Sequence, residues 1–189
     1  MKSTLKLAAI AAAIVLAACA PAEDAATAQI CDIEITAPVS FSHAEEADAI
    51  SARAIGPRCD RAVALFTIHS AEGDPIWAWA SPMPRAFGSQ FHQADDAMLR
   101  EFLTRWAAPA PGTTASAPEW PEAAPDLPGG LATTLQRAVY EDIRARDLPM
   151  LCHLTSVGRE TCLYWEPAAA LAEPLFVRDA VGAPSPDGG

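Results

Sequence analysis

The stretch 62–80 constrains the fold most, because one local arrangement satisfies nearly all of it. Phe66 and Ile68 sit two residues apart, Glu72-Gly73 supplies turn chemistry, and Trp77 and Trp79 sit two apart again. Period-two spacing on both sides of a glycine-containing turn predicts a β-hairpin. With Glu72-Gly73 at the turn, Phe66 faces Trp79 and Ile68 faces Trp77. All four side chains then fall on one side, with Leu65, Thr67, His69 and Ile76 on the other. Aromatic cross-strand pairs of this kind stabilise a hairpin by about 0.2–1 kcal/mol each. The two indoles could form a ligand-stacking platform, but their phase match to Phe66 and Ile68 assigns them to a core.

A second hairpin is expected over 150–165. A three-residue loop, Ser156-Val157-Gly158, puts Gly158 in the left-handed position that such loops favour. That register sets Cys152 opposite Cys162. Residues 30–36 alternate Cys31, Ile33 and Ile35 against Ile30, Asp32 and Glu34, which reads as a strand with one buried face. Residues 49–55 read as a strand running into the Gly56-Pro57 turn. A competing pattern lies just upstream, where Ser42 and Glu45 have the spacing of a capping box that would open a helix. A last strand is expected at 175–177.

Two amphipathic helices are expected. Over 91–107, Phe91, Ala94, Met98, Phe102 and Trp106 form an apolar stripe widened by Leu99 and Leu103. Asp95 and Asp96 come early in it, as the helix dipole favours. Over 131–147, Leu131, Leu135, Val139 and Ile143 recur every fourth residue. Between the helices, residues 109–130 hold six prolines, so neither a helix nor an inner strand forms there. Trp120, in the middle of this segment, either packs back on the domain or presents a partner contact. The predicted fold class is α+β: a small antiparallel sheet built from two hairpins, two amphipathic helices and two disulfides. It forms one domain over 30–180, with a Pro-rich loop at 108–130 and a disordered tail at 181–189.

At the N-terminus, Lys2 and Lys6 precede ten uninterrupted apolar residues, 7–16. That suits a signal peptide and is too short for a membrane span, which needs roughly 20. Leu16-Ala17-Ala18-Cys19 resembles the lipobox of bacterial lipoproteins. The resemblance implies a signal over 1–18, cleavage before Cys19, a lipidated Cys19 thiol and an acylated amine, typically carrying palmitate. It further implies a periplasm-facing body held to the lipid bilayer by a tether over 19–29. Ala20, in place of an Asp, implies the outer rather than the inner membrane. The ten residues 20–29 reach roughly 30 Å when extended.

Losing the signal removes Lys2 and Lys6, the only lysines, and takes the formal charge from −11 to −13. Nucleic acid is not an expected partner, since its binding rests on Lys and Arg neutralising phosphates. The mature chain cannot form a Schiff base, a P-loop lysine contact or a Ser-Lys dyad, and the absence of Asn removes a Cys-His-Asn arrangement.

With Cys19 lipidated, Cys31, Cys59, Cys152 and Cys162 remain. An even set in an exported chain points to two disulfides among three pairings. The hairpin register favours Cys152–Cys162, which leaves Cys31–Cys59. No Cys-x-x-Cys occurs, and His43, His69, His92 and His153 form no His-x-x-x-His, so no metal is expected. His43-Ala44-Glu45 matches only the first half of a zinc-deaminase motif. The candidates for catalysis are His69, His92, Asp95 and Asp96, which meet only if the first helix folds over the first hairpin. No cofactor motif is present. The expected function is a non-enzymatic binding or interaction protein of the cell envelope with an envelope protein as partner. The alternatives are an envelope hydrolase using His69 or His92 with Asp95 or Asp96, and an inhibitor of a cationic enzyme such as lysozyme.

Overall fold

The computed structural model describes residues 30–42 and 46–180. The lipobox with Cys19, the tether 19–29, His43-Ala44-Glu45 and the tail 181–189 lie outside the described residues.

Two four-stranded antiparallel sheets, each with its strands in chain order, form the framework of the described residues. The first contains β1 (Cys31–Val39), β2 (Asp48–Gly56), β3 (Val63–His69) and β4 (Pro75–Pro82). The second contains β5 (Pro111–Thr113), β6 (Pro149–Ser156), β7 (Arg159–Glu166) and β8 (Leu171–Asp179). Helices are few and short: α1 (Met83–Phe87), α2 (Asp96–Trp106) and α3 (Arg137–Ala145). The expectation of one small sheet in an α+β fold is therefore corrected to a mostly β fold. Each expected hairpin is present, but each is part of its own larger sheet.

The first sheet follows from alternation. Ile33 pairs with Ala54, Ala52 with Phe66, Phe66 with Trp79 and Ile68 with Trp77, so one buried face runs across all four strands. Its other face is polar, with Arg53 bonded to Asp32 at 2.7 Å and Ser51 to Glu34 at 2.5 Å. The Arg53 guanidinium holds the Asp32 carboxyl below its ordinary pKa. The strand reading of 49–55 holds over the competing helix. Gly56 fits the tight exit, since a Cβ there would lie 2.9 Å from Ala62 Cα. Ile76 departs from the expected register. Ile68 pairs with Trp77 and His69 with Pro75, so Ile76 is the extra residue of a bulge; it is 7% exposed and joins the core.

In the second sheet Cys152 pairs with Cys162 as expected, and Gly158 has φ 69° in the turn. Both disulfides form, Cys31–Cys59 and Cys152–Cys162. One face of this sheet, with Leu151, Leu163, Trp165 and Ala172, shares a core with the first sheet. The opposite face, with Met150, Cys162, Tyr164, Leu175 and Phe176, packs with Tyr140 and Ile143 of α3. The order is thus sheet, sheet, helix, with α2 lying against β1 and β2.

Both long helices expected from spacing are shorter. Asp95 takes an extended conformation and its carboxylate accepts from Met98 N at 2.9 Å. As an N-cap it starts α2 there, and residues Ser89–Gln93 form a separate 3₁₀ turn. The buried side of α2 is Leu99, Leu103 and Trp106. The second helix starts only after Gln136, because the edge of β8 captures the chain before it. Ala132 and Val177 exchange two backbone hydrogen bonds, and Thr133 Oγ1 donates to Leu175 O at 2.6 Å. Val139 is accordingly 47% exposed, while Tyr140 and Ile143 are buried.

The Pro-rich segment is ordered by α3. Proline denies it a ladder, so its carbonyls take side-chain donors instead. Tyr140 Oη donates to Pro118 O at 2.8 Å, Arg144 Nε to Ala117 O at 2.9 Å and Arg137 Nη1 to Glu122 O at 2.5 Å. Thr114, fully buried, donates to Ile143 O and accepts from Leu148 N. Only Pro111–Thr113 pairs, on an edge, as proline permits.

A second buried polar anchor is Asp48, 1% exposed, which accepts from Phe41 N, Ser42 N and Ser42 Oγ at 3.0, 2.5 and 2.6 Å. Asp48→Ala leaves two buried N–H groups unpaired and should cost roughly 2–4 kcal/mol. Urea unfolding checks this, and a loss below about 0.5 kcal/mol would show that the turn is not closed by the carboxylate. Arg144→Ala should raise amide exchange across 114–124 while leaving the first sheet protected; uniform protection in both variants would remove α3 as the fastening element.

Candidate functional site

His153 is a buried titratable group held from several elements of the fold. It stands on β6 in phase with Leu151, pointing into the core between the sheets, and is 2% exposed. Its ring stacks on Phe66 with centroids 4.2 Å apart and planes 2° apart. Trp77 Nε1 donates to its Nε2 at 3.2 Å. An indole N–H only donates, so Nε2 must be unprotonated, and the ring proton sits on Nδ1 facing Leu154 O at 3.1 Å. Leu154 O also accepts from Trp106 Nε1 at 3.0 Å. One imidazole thus joins β4, β6 and the end of α2 in a single chain of hydrogen bonds, with Trp79 and Trp106 edge-on or tilted around it.

Burial pushes the His153 pKa from 6.5 down to about 4, outweighing the hydrogen bond to Leu154, which favours the protonated ring. The Phe66 face would favour an imidazolium by about 0.5–2 kcal/mol, and burial exceeds that as well. His153 is therefore neutral at neutral pH.

Two concavities flank this cluster. A cleft of about 410 Å³ runs beside β6 beyond the residues that pair with β5, lined by Arg105, Trp106, Pro109, Cys152, Glu160 and Arg178. Arg178 Nε donates to Glu160 at 2.9 Å. A groove of about 290 Å³ lies between the helices α1 and α2 and the β6–β7 turn, lined by Phe87, Phe91, Met98, Phe102 and Val157, with Glu101 and Arg105 also lining it. The turn is fixed there by Val157 N donating to Ala86 O at 2.8 Å. Phe87 connects the groove to the cluster, lying 4.7 Å from Phe102, 5.4 Å from Trp106 and 5.8 Å from Trp79 between centroids.

Of the candidate residues for hydrolysis, His69 stands apart from the aspartates, while His92 lies in the turn just before Asp95 and Asp96. Asp96 lies 3.3 Å from Cys59 Sγ, just before β3 begins, and His69 ends that strand. Six residue steps of strand run from Val63 to His69, roughly 20 Å. Asp95 is occupied as a helix cap, Asp96 lies 3.8 Å from Arg100, and His92 is exposed in the turn before them. Trp120 is half-buried edge-on against Tyr140 at 5.8 Å, its Nε1 donating to Ala124 O at 3.1 Å. Among the described residues no group of three or more His, Cys, Asp or Glu is placed to hold a metal ion. No described helix is long and apolar enough to cross a membrane. Spacing motifs did not single out His153; the signal was its phase on the second hairpin, in register with Leu151.

His153 makes stability depend on pH with a definite sign. Between pH 6.5 and about 4 the unfolded chain binds a proton that the folded protein refuses. The contribution is complete above pH 6.5 and is lost as pH falls toward 4, about 3 kcal/mol in all. Urea midpoints of the wild type and His153→Gln should converge as pH drops through this window; a constant difference would refute the linkage. The chain matches no protein-family model, no curated protein and no solved structure, which leaves the cleft, the groove and the His153 cluster as the guides to what it does.

Proposed function

We propose that this protein is an exported, lipid-anchored binding protein of the bacterial cell envelope, facing the periplasm and engaging another envelope protein. The observation that carries the compartment is the pair of disulfides, Cys31–Cys59 and Cys152–Cys162, which persist in oxidising surroundings. Leu16-Ala17-Ala18-Cys19 adds the anchor, and its assignment of Cys19 to lipid leaves those four cysteines in an even set. A binding role is favoured over hydrolysis because Asp96 of α2 lies beside Cys59, ahead of β3, while His69 ends that strand, and Asp95 is committed as a cap. The aromatic groove offers a contact surface for an apolar side chain, with Glu101 and Arg105 placed to orient a polar neighbour.

The acidity of the mature chain supports a second reading, an inhibitor of a cationic enzyme such as lysozyme. Its affinity would fall as salt rises.

Mass spectrometry of the mature N-terminus should find Cys19 acylated and residues 1–18 gone; an unmodified Cys19 in the native host removes the anchor. A photo-crosslinker in place of Phe102 should trap one discrete envelope protein in cells, and the same group in place of Thr67 on the outer face of the first sheet should not. A protein that stays solitary from both positions loses the binding role, and a lysozyme adduct selects the inhibitor.

A further inference from the structure

We propose that the contact between the two sheets is an acid-released latch: a proton taken up at His153 Nε2 displaces the Trp77 hydrogen bond and swings the β6–β7 hairpin away from Phe66, Trp77 and Trp106, while each sheet stays folded.

Three features of the fold lead to this. First, Trp77 Nε1 donates to Nε2, its one acceptor among the described residues, and a protonated Nε2 turns that hydrogen bond into two donors 3.2 Å apart. Second, no charge awaits the imidazolium. Phe66 of β3, Trp77 and Trp79 of β4 and Trp106 of α2 surround it, and β6 itself carries no other ionisable side chain outside its disulfide. Arg105 of α2, Glu160 of β7 and Arg178 of β8 line the neighbouring cleft, where Glu160 is held by Arg178; Arg85 of α1 is exposed. A charged ring is therefore solvated only by opening toward that cleft, which already reaches His153. Third, neither disulfide joins the sheets. Cys31–Cys59 closes the first, and Cys152–Cys162 ties β6 to β7 within the second. The second sheet also keeps an apolar cluster with α3 on its far face, so releasing its inner face does not dissolve it. Burial holds the ring neutral until well below its ordinary value, which sets the threshold of release.

Linkage fixes the expected size. With His153 at about 4 when closed and 6.5 when open, the opening constant rises about tenfold per pH unit through that window, up to roughly 300-fold. Native-state amide exchange of the whole chain, corrected for intrinsic rates, should show this slope at residues 151–155 and 77–79. Amides in the centre of β2 should lack it, and far-UV circular dichroism should hold constant. His153→Gln keeps an acceptor for Trp77 without a titrating ring and should flatten the slope, whereas His69→Gln should not. Should His153→Gln fail to fold, imidazole chemical shifts of the wild type give the second measurement: His153 must become protonated in step with the exchange. A slope unchanged in His153→Gln, a ring that stays neutral while exchange rises, or exchange that rises equally in β2 would each overturn the latch.

Discussion

A neutral imidazole clamped between two sheets is the contact on which the rest of the arrangement depends. His153 supplies an acceptor to Trp77 and a donor to Leu154, and its flat face lies on Phe66. Each neighbour would be worse off without it. The Trp77 indole would bury an unpaired N–H, at a cost of about 1–3 kcal/mol, and Phe66 would face a void. The location concentrates the effect. Trp106 from α2 reaches the same carbonyl, so the helix that covers β1 and β2 is registered to β6 through one oxygen atom. A neutral Gln could satisfy the hydrogen bonds but would not fill the stacked slot.

The outer layer solves a different problem. Six prolines within 109–130 take away donors and bar regular pairing, yet the segment's carbonyls still need partners. α3 provides them from a single stripe, Arg137, Tyr140 and Arg144, spaced three and four apart. That stripe carries a second duty, because Tyr140 is also the largest fully buried side chain and is edge-on to both Trp120 and Phe176. Burial pushes its hydroxyl up to about 12, so it stays a donor across the physiological range. Val139 faces solvent as a consequence, which is why an apolar period alone misjudged this helix.

What the sequence made legible was whatever depended on local period and pairing. The register of Phe66 with Trp79 and of Cys152 with Cys162 follows from alternation and turn chemistry, and the disulfides follow from the register. The strand of 49–55 was readable for the same reason, whereas the start of α2 at the Asp95 cap was not, since the apolar stripe ran back to Phe91. Contacts that depend on which sheet faces which were not. Nothing local tells that 131–136 will bond to β8 rather than extend α3, since Ala132 and Thr133 suit either state and the β8 edge decides. His153 carried no spacing motif, and its role needs Phe66 and Trp77, more than 70 residues away. Asp96 sits beside Cys59 before β3 begins and His69 ends that strand, a separation set by strand length.

The placement of the cystines gives this division of labour its consequence. Each bridge closes a loop within its own sheet, with separations of 28 and 10 residues, and the chain-entropy model assigns such loops roughly 3–4 and roughly 3 kcal/mol. All of that acts on the integrity of a sheet and none on the angle between sheets. The mutual position of the two halves rests on noncovalent contacts: the His153 cluster, the shared apolar face of Leu151, Leu163 and Trp165, the edge of Phe41 against Trp165 at 6.5 Å, and the backbone hydrogen bond from Val157 N to Ala86 O. Phe41 is itself held by Asp48 through its backbone N–H. A buried carboxylate and a buried imidazole therefore sit behind two separate inter-sheet contacts, neither of them spanned by a covalent staple.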